Sequence, residues 1–103
     1  MRMGEFVKVA TKSEIPVGTG KKVEVSGKEI AIFNCDGTFY AIDGICAHRG
    51  GPLSEGDLNG LEVTCPWHGW RFNVANGSSP MSPAAKVNCY TLKIEGDDIC
   101  VSA

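Results

Sequence analysis

The sequence predicts an all-β fold: a small antiparallel β sandwich or barrel with a loop-rich subdomain inserted into it. Three observations carry this expectation. Apolar and polar residues alternate near both ends of the chain, with Val23 and Val25 set against Lys22, Glu24 and Ser26, and Tyr90, Leu92 and Ile94 against Thr91, Lys93 and Glu95. Turn pairs separate these runs at intervals suited to short strands. No stretch sustains a 3.6-residue apolar period, and 13 glycines in 103 residues recur too often for a long helix.

Taken in order, the first forty-odd residues read as strands, with a short turn possible at Ser13-Glu14-Ile15-Pro16. Ser26-Gly27 turns the Val23/Val25 strand into residues 29–33, and Asp36-Gly37 turns that strand into residues 38–42, rich in β-branched and aromatic side chains. A three-strand meander results, ending at Asp43-Gly44. Near the C-terminus, Gly96-Asp97-Asp98 joins the Tyr90/Leu92/Ile94 strand to Ile99-Cys100-Val101. Between these β regions, residues 46 to about 83 are rich in Gly and Pro, with short strand candidates at 61–64 and 70–74. There is no internal repeat. The expected organisation is one domain over 1–103, with a basal framework of about 1–44 and 84–103 and a subdomain of about 45–83. Long loops in compact domains usually carry function.

The totals bound that function. A chain of 103 residues has room for one modest core, so a metal centre tying loops together would add useful stability. A net charge of −2 without clustered Lys and Arg argues against nucleic acid and favours protein partners. The N-terminus has no signal-like apolar run, and nowhere do eighteen uncharged apolar residues follow one another, so a soluble, cytoplasmic chain is expected. Five cysteines without a secretory signal suit metal ligation better than a disulfide framework. Both histidines stand close to two of them.

Those residues form two compact motifs, Cys46-Ala47-His48-Arg49-Gly50-Gly51-Pro52-Leu53 and Cys65-Pro66-Trp67-His68-Gly69-Trp70. Each is a Cys/His pair on a tight loop, able to present both side chains to one side. The neighbouring glycines and prolines let the backbone wrap a compact inorganic group and aim N–H donors at sulfur. Two cysteines and two histidines also match a tetrahedral structural zinc site, although zinc modules rarely mount these spacings on two glycine-rich loops of a β insert. Cys35, Cys89 and Cys100 lie at strand positions or next to a turn and read as ordinary thiols. Trp67 suits either an exposed docking patch or packing near the site, whereas Trp70 suits packing. Arg49, Glu55 and Asp57 read as solvated charges.

The two motifs resemble those of the Rieske family, in which C-x-H and C-x-x-H loops are followed by glycine-rich turns. The resemblance extends along most of the chain, through the β framework, the acidic turn of Ser54-Glu55-Gly56-Asp57 and the proline-bearing segment near Pro80 and Pro83. In that family the proline loop covers the cluster from a third side. The resemblance implies a Rieske-type β fold holding one [2Fe–2S] cluster, with Cys46 and Cys65 on one iron and His48 and His68 on the other. Two ferric ions, two sulfides and two thiolates sum to zero charge, and neutral imidazoles leave that sum unchanged. Adding one electron then creates a single negative charge, which explains a higher potential than an all-cysteine site.

Departures from the pattern narrow the subtype. High-potential family members carry an additional cysteine in each loop, joined as a disulfide, and the matching places here hold Gly51 and Trp67. Those members also direct serine and tyrosine hydroxyls at cluster and thiolate sulfur, at positions corresponding to Trp70 and Phe72, which have no hydroxyl. Fewer hydrogen bonds to sulfur imply a potential of roughly −150 to 0 mV. The resemblance is therefore to a soluble, low-potential Rieske ferredoxin, a non-enzymatic carrier between a flavoprotein reductase and a terminal ring-hydroxylating oxygenase. An oxygenase iron site needs two further histidines and a carboxylate, and the chain has only two histidines in all. The alternative is the small electron-transfer subunit of an assimilatory nitrite reductase.

Overall fold

The computed structural model describes residues 6–45, 51–67, 69–80 and 86–102. Its strands are β1 (Val7–Thr11), β2 (Gly20–Val25), β3 (Lys28–Cys35), β4 (Thr38–Asp43), β5 (Asp57–Asn59), β6 (Glu62–Thr64), β7 (Arg71–Asn73), β8 (Cys89–Glu95) and β9 (Asp98–Ser102). The only helical turns among the described residues are short 3-10 segments at Lys12–Glu14 and Leu53–Glu55. Six strands form one sheet in the order β1-β9-β8-β4-β3-β2, and β5-β6-β7 form a second. All strand pairs are antiparallel, and edge strands β1 and β2 approach each other, so the larger sheet is a nearly closed barrel.

The expected meander is β2-β3-β4. Its turns place Ser26 and Gly27 at φ +52° and +78°, and Asp36 and Gly37 at +55° and +94°. Two successive positive φ angles match the right-handed twist of the strands they join. The C-terminal hairpin is β8-β9, with Leu92 opposite Val101. The candidates at 61–64 and 70–74 appear as β6 and β7, registered through Val63 and Phe72. The acidic segment supplies a 3-10 turn and then β5, with Glu55 and Asp57 exposed as expected.

Strand β3 explains how one small chain carries two apolar clusters. Ile30 and Ile32 face the barrel interior with Ala10, Ile15, Val25, Ala41, Ile99 and Val101. Ala31 and Phe33 face the other way and pack with Ile42, Leu53, Val63, Phe72 and Val74. Because both faces are covered, β3 reads as a continuous apolar run rather than an alternating one. The second cluster mounts the small sheet on the outside of β3 and β4, and Cys65 belongs to it.

Buried Asn34 secures the end of β3. Its Nδ2 donates to Ile15 O at 2.8 Å, and its Oδ1 accepts from Gly37 N at 2.8 Å. A buried amide satisfied on both sides joins the hairpin turn to the segment that enters β2.

Candidate metal centre

The second Cys/His motif occupies the tip of the β6-β7 hairpin. Thr64 pairs with Arg71, and one step further Cys65 N donates to Trp70 O at 2.6 Å, which puts Pro66, Trp67 and Gly69 at the tip. Gly69 sits at φ +72°, a conformation that a side chain would strain and that this turn requires. Cys65 follows β6 directly and is 1% exposed, whereas Trp67 at the tip is 51% exposed. Trp70 packs against the cluster of Leu53, Val63 and Phe72. The two tryptophans thus divide into an exposed residue and a packing residue.

The first motif leaves the end of β4. Ile45 bridges Pro52, and Leu53 N donates to Gly44 O at 2.9 Å, so the chain just before the first motif is pinned to the chain that returns from it. Gly51, on the returning limb, approaches the second motif. A Cβ placed on it would stand 2.7 Å from Cys65 Sγ and 3.0 Å from Trp67 Cβ. Two loops separated in sequence therefore meet at a buried sulfur. Ser78 and Lys86 form a further bridge, with Val87 N donating to Gly77 O at 2.9 Å.

Of the four expected ligands, Cys65 is described. Cys46, His48 and His68 lie outside the described residues, as do Arg49 and Pro83. Cys35, Cys89 and Cys100 are free thiols on β3, β8 and β9. Burial pushes the Cys35 thiol above its ordinary pKa, and partial desolvation followed by the Asp43 carboxylate does the same for Cys89. Both shifts disfavour the thiolate, the form that ligates a metal. Among the described residues, no three His, Cys, Asp or Glu side chains converge on a further metal site.

The family model for the Rieske [2Fe-2S] domain matches residues 5–91. The chain belongs to the Rieske [2Fe–2S] family. Membership brings one Rieske-type cluster and excludes the zinc reading. The residues fit that group: a buried thiol lies beside a glycine without a Cβ, where two segments distant in sequence meet, and the sequence carries a cysteine and a histidine in each of the two motifs. The Rieske chain is 38% identical over 91 residues to the ferredoxin component of the naphthalene 1,2-dioxygenase/salicylate 5-hydroxylase systems of a Ralstonia species, covering 87% of this chain and 88% of that one. It superposes with a TM-score of 0.86 and 30% identity on a chain from the complex of reduced oxygenase and oxidized ferredoxin in carbazole 1,9a-dioxygenase, covering 94% and 92% of the two chains. A nitrite reductase small subunit from Mycobacterium tuberculosis shares the fold, with a TM-score of 0.88 at 21% identity over 96% and 95% of the chains.

Sequence reasoning did not single out Asp43, which accepts from both Asn88 and Tyr90 beside the root of the first loop. No local motif marks it, because its partners lie 45 and 47 residues away.

Proposed function

We infer that this chain is a one-electron carrier between a flavoprotein reductase and the terminal oxygenase of a ring-hydroxylating system, with Cys46 and Cys65 on one iron of its cluster and His48 and His68 on the other. The observation that carries the ligand reading is the meeting of the two loops at Gly51 and Cys65 Sγ. Support for the partners comes from relatives of nearly equal length that are components of dioxygenase systems, and from a similar chain in a complex with an oxygenase. The nitrite reductase likeness is one of fold at low identity and favours no second reading.

When bound, the cluster supplies reversible one-electron chemistry near neutral net charge. The protein's own residues do the rest. Leu53, Val63, Phe72 and Val74 wall Cys65 from water, which lowers the local dielectric around its sulfur. Trp67 and Ile45, both half-exposed, give the loop end an apolar surface on which a protein partner can settle transiently. With both histidines committed to iron, none is left for an oxygenase iron site. No helix among the described residues is long and apolar enough to cross a membrane.

Two measurements test this reading. His68→Cys is expected to lower the midpoint potential markedly while iron stays bound, and an unchanged midpoint would remove His68 from the ligand set. The flavoprotein reductase of a naphthalene dioxygenase system, given NADH, should reduce cytochrome c only when this chain is added. Equal rates with and without it would contradict the carrier role.

A further inference from the structure

We propose that Asp43, held by Tyr90 and Asn88, is a positioning residue that seats the first cluster loop. The proposal rests on Cys46 and His48 being cluster ligands. Asp43 ends β4, three residues before Cys46. At that point β4 is paired to β8 over only two positions, Ala41 with Tyr90 and Ile42 with Cys89. The inserted subdomain leaves and returns here, so the ladder gives little hold on the β8 side, although Asp43 pairs with Ile30 of β3 on the other.

Asp43 provides the missing hold. Its N–H donates to Asn88 O at 2.9 Å, its Oδ2 accepts from Asn88 N at 2.8 Å, and its Oδ1 accepts from Tyr90 Oη at 2.5 Å. The two bonds into the carboxylate are of the stronger, charge-assisted kind. They also involve the chain on both sides of the insert. The Tyr90 ring is itself steadied, because Lys28 Nζ lies 5.7 Å from its centroid.

From Asp43 the hold passes directly toward the ligands. Gly44 N donates to Glu29 O at 2.8 Å, Gly44 O accepts from Leu53 N, and Ile45 bridges Pro52. Three consecutive residues are thus anchored to three different segments immediately before the ligand loop. Asp43, Ile45, Asn88 and Tyr90 also line one open cleft of about 430 Å³, so loosening this root has free space to move into.

A clamp that served folding alone would change stability and leave the cluster untouched, whereas a positioning clamp changes the cluster's properties. The test uses holoprotein of the parent, Tyr90→Phe, Asp43→Asn and Asp43→Ala, with Thr91→Ala as an exposed neighbour outside the clamp. Midpoint potential, visible spectrum and the rate of bleaching by an iron chelator are measured beside thermal unfolding. Tyr90→Phe, which keeps the ring and deletes one hydroxyl, is expected to bleach several-fold faster with a displaced midpoint. Asp43→Asn should resemble it, Asp43→Ala should exceed both, and Thr91→Ala should match the parent. If Asp43→Ala does not fold, Tyr90→Phe still decides. Parent-like midpoint and bleaching in Tyr90→Phe and Asp43→Asn would overturn the proposal while leaving the ligand reading intact. A parent protein with no Rieske spectrum would overturn both.

Discussion

Gly51 lies so close to Cys65 that a Cβ on it would stand 2.7 Å from the sulfur. It would also meet Trp67 Cβ at 3.0 Å, so the places that hold cysteines in high-potential Rieske proteins are neighbours here, occupied by a glycine and a tryptophan. Gly51→Ala is therefore expected to displace the Cys65 sulfur or the second loop and to lower iron content per chain. Gly60→Ala is the control. Gly60 has φ +64° with open space around its Cβ position, so it should cost about 1 kcal/mol of stability while iron content stays level. Full iron loading of Gly51→Ala would mean that the close approach is not needed.

The same pair bears on the potential. Without loop cysteines, and with Trp70 and Phe72 where hydroxyl donors stand in the high-potential members, fewer donors stabilise the reduced state. Phe72 is fully buried in the apolar cluster. Protein-film voltammetry should give a midpoint of roughly −150 to 0 mV. A value well above this would contradict the low-potential assignment.

The remaining thiols provide a selective test of the ligand set. Replacing Cys35, Cys89 and Cys100 together by alanine should leave the iron-to-protein ratio and visible spectrum unchanged, with some loss of stability from buried Cys100. Cys65→Ala should abolish the spectrum. Loss of iron in the triple variant would show that one of those thiols takes part.

The clamp at the loop root also has a pH signature. The Tyr90 phenol is pushed up to about 12, first by burial and then by its hydrogen bond to Asp43 and that carboxylate's charge. In the unfolded chain it titrates near 10. The folded state therefore holds the proton more tightly, and the stabilisation is complete below about pH 10 and falls as pH rises toward 12. The stability difference between the parent and Tyr90→Phe, followed by urea unfolding, should be constant up to about pH 10 and shrink above it. A difference that grows over that interval would contradict the assignment.

How much of this was legible in the sequence follows from where each signal resides. The β2-β3-β4 meander and the β8-β9 hairpin were readable because period-two patterning and two-residue turns are local. Strand β1 was not marked individually, since it is an edge strand whose register shifts between Lys8 and Ala10, interrupting the alternation. Strand β5 read as part of an acidic turn because Asp57, Leu58 and Asn59 have little strand preference, and pairing with β6 overrides it. The neighbouring of β4 and β8 links residues almost fifty positions apart and has no local sign, which also hid Asp43, Asn88 and Tyr90. The ligand candidates were legible from spacing, whereas the closeness of Gly51 to Cys65 depends on packing of the small sheet against β3 and β4.

The central claim is a cluster with mixed cysteine and histidine ligation, and the most direct measurement is the EPR spectrum of the dithionite-reduced protein. A rhombic signal with an average g below the free-electron value is expected. Iron-loaded protein that gives no such signal on reduction would contradict the assignment.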